Sequence, residues 1–353
     1  MQLLNAAILS NLIVAVTRGR VMSELGDRMR SAREAVLVSL PSMARRTRWS
    51  EAYLQQIEAG DQPVEPRHVA AYATALRVPV EALYGSPLWV LRDDVAGHRL
   101  LPGDAQRVEV LLKHPRSLDH AALETLSRVL ADIRRLEDKI GATHVIPLVD
   151  GQRRLVGRFA AEARPAVRSE TVGLLSELEQ YRGWLAVPGR QWQHAGRHFE
   201  RAAHLAMEAD DPQRLSTALS FSAYRALRRR EFRTAEALSA AARRDTRVDP
   251  GLRTYETFQR AEILARIGDH PEALRLLAEA DGMVDQLPPA EELPPSGYWY
   301  TPPFFLGQRA FVLYALGDDT AAGRTARDCL AEMPAEWTSS EWAARRRELA
   351  RLT

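Results

Sequence analysis

From Ser23 to Thr353 the apolar positions recur at spacings of three and four, and strand-like alternation is confined to HVIPLV at 144–149. A period near 3.6 predicts amphipathic helices. Helix-like blocks end at short turn signals: GDQPVEP (60–66), YGSP (84–87), LPGD (101–104), KHPRS (113–117), EADDP (208–212), RVDPG (247–251) and IGDHP (267–271). Helices joined by short connectors with no strand pattern define an all-α fold. The largest interruption is LPPAEELPPSGYWYTPPF (287–304), whose six prolines predict an extended inter-helix loop.

Residues 24–84 read as five short helical segments, at 24–37, 41–47, 50–60, from 66, and 79–84. Ser39 and Ser50 stand where helix N-caps belong, Pro41 fits a first helical turn, and Gly60 suits a left-handed C-terminal cap. Leu25, Met29 and Ala32 share one face of the first segment. Met43, Ala44, Trp49, Leu54 and Ile57 form an apolar seam between the second and third, and Val69, Ala73, Leu76 and Val78 close it. Two short helices joined by a tight turn, with small Ala44 at their contact, have helix-turn-helix geometry.

The segments RMRSARE (28–34), SMARR (42–46), SEAYLQQIEAG (50–60) and YATALRVPVEAL (72–83) together resemble the Cro-like, phage-repressor-like (XRE-type) helix-turn-helix family. The resemblance implies a DNA-reading module in which the second helix of the pair enters the major groove. Glu51, Ala52, Gln55 and Gln56 are then expected near base edges, with glutamine suited to adenine and glutamate to cytosine N4. Ser50 and the cluster Arg45, Arg46 and Arg48 are expected at phosphates. Leu40, Arg48 and Asp61 depart from the family pattern, standing where a polar phosphate contact, a turn glycine and a basic residue are usual. Over 23–85 eight arginines face eight acidic residues, so a dimer on two half-sites is expected to supply affinity.

Beyond the module, small residues repeat in register. Gly183, Ala195 and Ala202 are followed at the same offsets by Ala223, Ala235 and Ala242, by Ala261, Ala273 and Ala280, and by Ala310, Ala322 and Cys329. Small residues are needed where helices approach closely. Gly268-Asp269 and Gly317-Asp318 fall at one turn position. The pattern resembles tetratricopeptide repeats, with units spaced here at 40, 38 and 49 residues. A preceding helical pair is expected over 119–140 and 148–163, and a closing helix over 339–352. The implied fold is a five-helix reader followed by a tetratricopeptide-like α-solenoid.

The layout resembles bacterial regulators that join such a reader to a helical sensor. It implies a transcriptional regulator that binds double-stranded DNA, forms a homodimer and takes a peptide or small-molecule effector. First helices of such repeats line a groove, so Gln180, Trp184, Tyr224, Arg228, Tyr255, Phe258, Glu262, Arg266 and Phe311 are the expected effector contacts. The alternative is a protein-interaction scaffold whose N-terminal module no longer reads DNA. The expected domains are a leading segment at 1–22, the reader at 23–85, a linker at 86–118 and the repeats at 119–353.

Composition narrows the chemistry. The net charge is +2, which excludes a strongly cationic coat and leaves DNA binding to a local patch. Only Lys113 and Lys139 are lysine, and every other basic side chain is arginine. One cysteine, Cys329, excludes a disulfide framework and sits at a small-residue packing position. His194 and His198 share a helix face but form no HExxH, and neither GxGxxG, GxxxxGK[ST] nor GxSxG occurs, so no metal, cofactor or enzymatic activity is expected. The apolar run 3–16, LLNAAILSNLIVAV, is short for a membrane span and lacks preceding positive charge. It reads as an upstream extension or docked tail on a cytoplasmic protein.

Overall fold

The computed structural model describes residues 25–34, 36, 38–78, 83, 111 and 114–352, and every regular element among them is helical. The leading segment, most of the fifth reader segment and the linker over 86–110 lie outside the described residues. The chain divides into two compact units, within 1–105 and within 106–353.

The first unit contains α1 (25–34), α2 (Leu40–Thr47), α3 (Glu51–Ala59) and α4 (Pro66–Leu76). Its caps are those the sequence specifies. Ser39 accepts a hydrogen bond from the Ser42 amide and Ser50 from the Tyr53 amide, and Gly60 closes α3 in the left-handed region. Leu25, Met29, Met43, Leu54, Ile57, Val69, Ala73 and Leu76 are buried in one core, with Ala32, Ala44, Trp49 and Val78 packed around it.

The second unit opens with α5 (His120–Ile140) and α6 (Ala142–Glu162). Four helical hairpins follow: α7 (Pro165–Trp184) with α8 (Trp192–Glu208), α9 (Pro212–Arg228) with α10 (Phe232–Ala242), α11 (Pro250–Ile267) with α12 (His270–Val284), and α13 (Pro302–Leu316) with α14 (Asp319–Glu332). Each hairpin also packs on the next through its neighbouring helices. All twelve small marker positions, from Gly183 to Cys329, are buried. The register extends to the backbone: seven residues beyond each first marker stand Arg190, Arg230, Gly268 and Gly317, all with positive φ. In two hairpins a serine seven residues before the marker donates to the carbonyl of the last marker, Ser176 to Ala202 and Ser216 to Ala242. One large apolar cluster joins α11–α14 with Tyr300, Met333 and Trp337.

Three expectations are corrected. HVIPLV is helical, and α6 starts at Ala142 rather than Leu148. Burial of Val145, Leu148 and Val149 outweighs the single backbone bond that Pro147 removes. The proline-rich loop ends at 301, because Pro302 and Pro303 occupy the first turn of α13, where a missing N–H costs nothing. The closing helix is broken into α15 (Ala335–Ser339), a 3₁₀ turn at Glu341–Ala343 and α16 (Ala344–Leu349). Ser340 is extended there and its hydroxyl donates to the Trp337 carbonyl, an alternative to the helical ladder.

Gly183 faces the Phe199 ring so closely that an added Cβ would collide with it. Gly183→Ala is expected to lower the stability of the array by about 1–3 kcal/mol through overpacking. Gly282→Ala, on an exposed helical site with open space around it, is expected to raise stability by about 0.5–1 kcal/mol. Urea unfolding of the two variants measures both; equal effects would remove close helix approach as the reason for the glycine.

Candidate functional site

In the first unit, the turn between α2 and α3 passes through Arg48 with φ 61°, so arginine adopts the left-handed conformation in which glycine is usual. Glu51, Ala52, Gln55 and Gln56 are all exposed on one side of α3, while Leu54, Ile57 and Glu58 are buried on the other. Ser50, Arg45, Arg46 and Arg48 are exposed beside them, and the Arg46 guanidinium donates to the Ala75 carbonyl at 2.8 Å.

The buried side of α3 holds a charge pair that sequence reasoning missed. Arg33 grips the Glu58 carboxylate with two parallel bonds of 2.6 and 2.7 Å and donates a third to the Val38 carbonyl at 2.9 Å. Tyr72 donates to the same carboxylate at 2.8 Å, and Arg30 donates to the Glu58 carbonyl at 2.7 Å. The fork ties α3 to α1, and the tyrosine ties it to α4. Bidentate geometry fixes orientation as well as distance. The first unit is a helix-turn-helix domain, and its outward face is set by this inward clamp.

In the second unit, aromatic and charged side chains surround a cavity of about 110 Å³. Ring contacts run without a break from Trp184 to Phe221, Tyr255 and Phe304, and on to Trp342. Of the expected effector contacts, Gln180, Trp184, Tyr224, Tyr255 and Phe311 line this space. Phe258 is stacked on Phe305 within the core, Glu262 is paired with the lining Arg345 at 2.5 Å, Arg266 lies over the Tyr314 ring, and Arg228 is exposed. Further wall comes from Arg134, Glu137 and Asp138 of α5, from the aromatic segment 298–300 of the proline-rich loop, and from Trp342, Arg345 and Arg346. The cluster of aromatics among prolines in 287–304 was the available sequence signal.

The cavity charges are mostly engaged. Arg134 bonds Glu177 at 2.7 Å, and Arg214 bonds the same carboxylate at 3.0 Å. Burial alone would raise the Glu177 pKa, but the two guanidinium groups bring it down to about 2. Asp138 is pushed upward by burial, against hydrogen bonds from the Tyr298 hydroxyl at 2.5 Å and Trp342 Nε1 at 3.0 Å. Elsewhere, His198 is held by Glu179 at 2.5 Å and by His194 at 3.1 Å, and Glu179 also bonds Arg153 and Arg201. Among the described residues no helix is long and apolar enough to cross a membrane.

Residues 24–83 match the model of a helix-turn-helix domain family. No curated protein matches the chain. Among solved structures, the apo form of the competence regulator ComR from Streptococcus vestibularis overlaps at a TM-score of 0.36 and 10% identity, over 94% of this chain and 100% of that one. Bacillus thuringiensis PlcR, solved in complex with the peptide PapR7 and DNA, overlaps at 0.29 and 10% identity, over 75% and 95%. Overlap at that level assigns neither a fold nor a ligand to this chain.

Glu58→Gln leaves the Arg33 guanidinium buried without its carboxylate. It is expected to destabilise the first unit by about 3–5 kcal/mol. Hydrogen exchange of the 51–59 amides in the full chain measures this, and unchanged protection would show that the fork does not hold α3. For Glu177, a pKa lowered from 4.5 in the unfolded chain to about 2 contributes stability that is complete above about 4.5 and fades as pH falls toward 2. The stability gap between wild type and Glu177→Gln is expected to shrink across that window in denaturant titrations, and a gap independent of pH would contradict the assignment.

Proposed function

We propose that this protein is a DNA-binding transcriptional regulator of the phage-repressor-like (XRE-type) class, a reader at 23–85 coupled to a tetratricopeptide-like sensor and dimerisation region at 119–353. Glu51, Ala52, Gln55 and Gln56 read base edges in the major groove, Ser50 contacts phosphate at the start of α3, and Arg45, Arg46 and Arg48 neutralise phosphates beside it. The observation that carries this reading is the two-sidedness of α3: four short polar or small side chains outward, and an ion-pair clamp inward, within a helix-turn-helix match. The aromatic cavity supports the sensor half, because a largely apolar hollow with a few convergent polar groups is the usual form of a ligand site. An effector bound there shifts the population of reader arrangements by as much as it prefers one of them. The protein works without a resident cofactor or metal, in the cytoplasm, as a homodimer on paired half-sites.

The scaffold reading draws on one observation, the balance of eight arginines and eight acidic residues over 23–85, with Asp61 exposed just beyond α3.

Selection of bound duplexes from a random library, followed by gel retardation at low salt, tests the proposal. Wild type is expected to enrich a paired motif. Gln55→Ala with Gln56→Ala is expected to lose about 1–3 kcal/mol of discrimination for each base pair read and to keep weak non-specific retention. No enrichment, or the same motif from the double variant, would favour the scaffold.

A further inference from the structure

Arg346 is a buried cation of the second unit with no ion pair among the described residues; the buried carboxylates Asp138 and Glu256 are likewise held by neutral hydrogen-bond donors rather than by a cation. Arg346 is 3% exposed and lines the cavity. Its two hydrogen bonds to backbone carbonyls are long, 3.4 Å to Trp342 and 3.5 Å to Phe304, and Nε has no partner. Among the described residues no carboxylate forms an ion pair with it, whereas its neighbour Arg345 is paired to Glu262 and Arg134 to Glu177. The group beside it is the Cys329 thiol, a hydrogen-bond partner of the guanidinium; burial pushes the thiol pKa up and the guanidinium opposes that shift. The rings of Phe304, Phe311 and Trp342 lie 5.0–5.2 Å from the guanidinium carbon and stabilise the cation in part. Space for it is reserved: a Cβ on Gly307 would collide with the guanidinium, so that glycine leaves α13 open at this point.

A guanidinium kept in a low-dielectric pocket without a counter-ion is costly, and such groups mark functional sites. The remainder of the hollow is largely aromatic, with the paired Arg134 and Arg345 and the hydrogen-bonded carboxylates of Glu137 and Asp138 among its polar lining, and it has room for several waters or a ring-sized body. We propose that this cavity binds a carboxylate carried on an apolar or aromatic body, with Arg346 as its counter-ion and Trp184, Tyr224, Tyr255 and Phe304 around the body. The site rests on reading the helical array as the effector-binding region. The carboxylate belongs either to a free organic acid or to the C-terminus of a short peptide. Each completes the Arg346 fork with two charge-assisted bonds.

Calorimetric titration of the full chain separates these sources. The probes are 3-phenylpropionate and its amide, and acetyl-Leu-Phe with a free or an amidated C-terminus. Wild type is expected to prefer at least one acid over its amide by about tenfold or more, the scale of a hydrogen-bonded charge. Preference for phenylpropionate alone names the free acid, and preference for the dipeptide alone names a chain terminus. Arg346→Met removes the uncompensated charge, so its melting temperature is expected to equal or exceed that of wild type while the preference disappears. Arg346→Lys keeps charge without the fork and is expected to retain only part of it. Acid and amide bound equally, neither bound at millimolar concentration, or a preference retained in Arg346→Met would overturn the proposal. Gel retardation of ligand-free Arg346→Met distinguishes the two readings: the expected base and phosphate contacts all lie in the first unit, so loss of carboxylate preference with retention intact leaves the reader assignment untouched.

Discussion

Helix pairs that touch backbone to backbone leave no volume for side chains along the line of contact, and that constraint orders the second unit. The twelve positions from Gly183 to Cys329 are small because the helices meet there. Close packing at interior density tolerates little change in volume, which is why the Phe199 ring fits against Gly183 and against nothing larger. Large side chains are therefore displaced to another stripe of the first helices. There Gln180, Trp184, Tyr224, Tyr255 and Phe311 meet the aromatic loop segment 298–300 and the C-terminal residues 342–346. The cavity is thus a consequence of the packing rule: what cannot sit between helices gathers on the side where they diverge from contact.

Charge obeys a second rule in both units. The basic side chains are almost all arginine, and many reach into the interior. Burying a charge is tolerated when it is paired and its hydrogen bonds are satisfied. Arg33 with Glu58, Arg134 with Glu177, and Arg345 with Glu262 each meet that condition. Such pairs add little net stability compared with apolar packing, but removing one partner is severe, so they specify which helices meet and in what rotation. In the first unit that rotation decides which side chains of α3 the proposed reader presents outward. A turn of α3 about its axis would move Gln55 and Gln56 off the outward face, and the Arg33 fork with the Tyr72 bond resists it from two neighbouring helices.

What was legible in the sequence was local or periodic. Caps act over three residues, so Ser39 and Ser50 announced their helices; the apolar seam followed the helical period; and the small-residue register repeated at fixed offsets. Long-range pairing was not legible. Arg33 and Glu58 are 25 residues apart and look like ordinary surface charges on two amphipathic helices until the helices are packed. The same holds for the cavity. Its first-helix wall could be read from the repeat register, but 298–300 and 342–346 carry no period, and Pro302 and Pro303 looked like loop rather than a helix start. Arg228 and Arg266 lie one turn beyond Tyr224 and Glu262, outside the cavity lining, and Phe258 packs in the core against Phe305.

The charge rule also bounds how the proposed reader can bind. Of eight arginines over 23–85, Arg33 is cancelled inside by Glu58, and Arg46 spends one N–H on the Ala75 carbonyl. Only Arg45, Arg46 and Arg48 cluster beside α3, and each phosphate neutralised adds one increment to a salt-sensitive affinity. One copy therefore neutralises only a handful of phosphates, too few for the tight non-specific hold that a strongly basic domain enjoys. Its selectivity has to come from base edges, read by side chains whose aim is fixed by the clamp behind them. Two copies on paired half-sites double both contributions at a fixed separation. A weakly charged reader is then sensitive to whatever sets that separation, and a helical array with a ligand-sized hollow at its aromatic face is suited to set it.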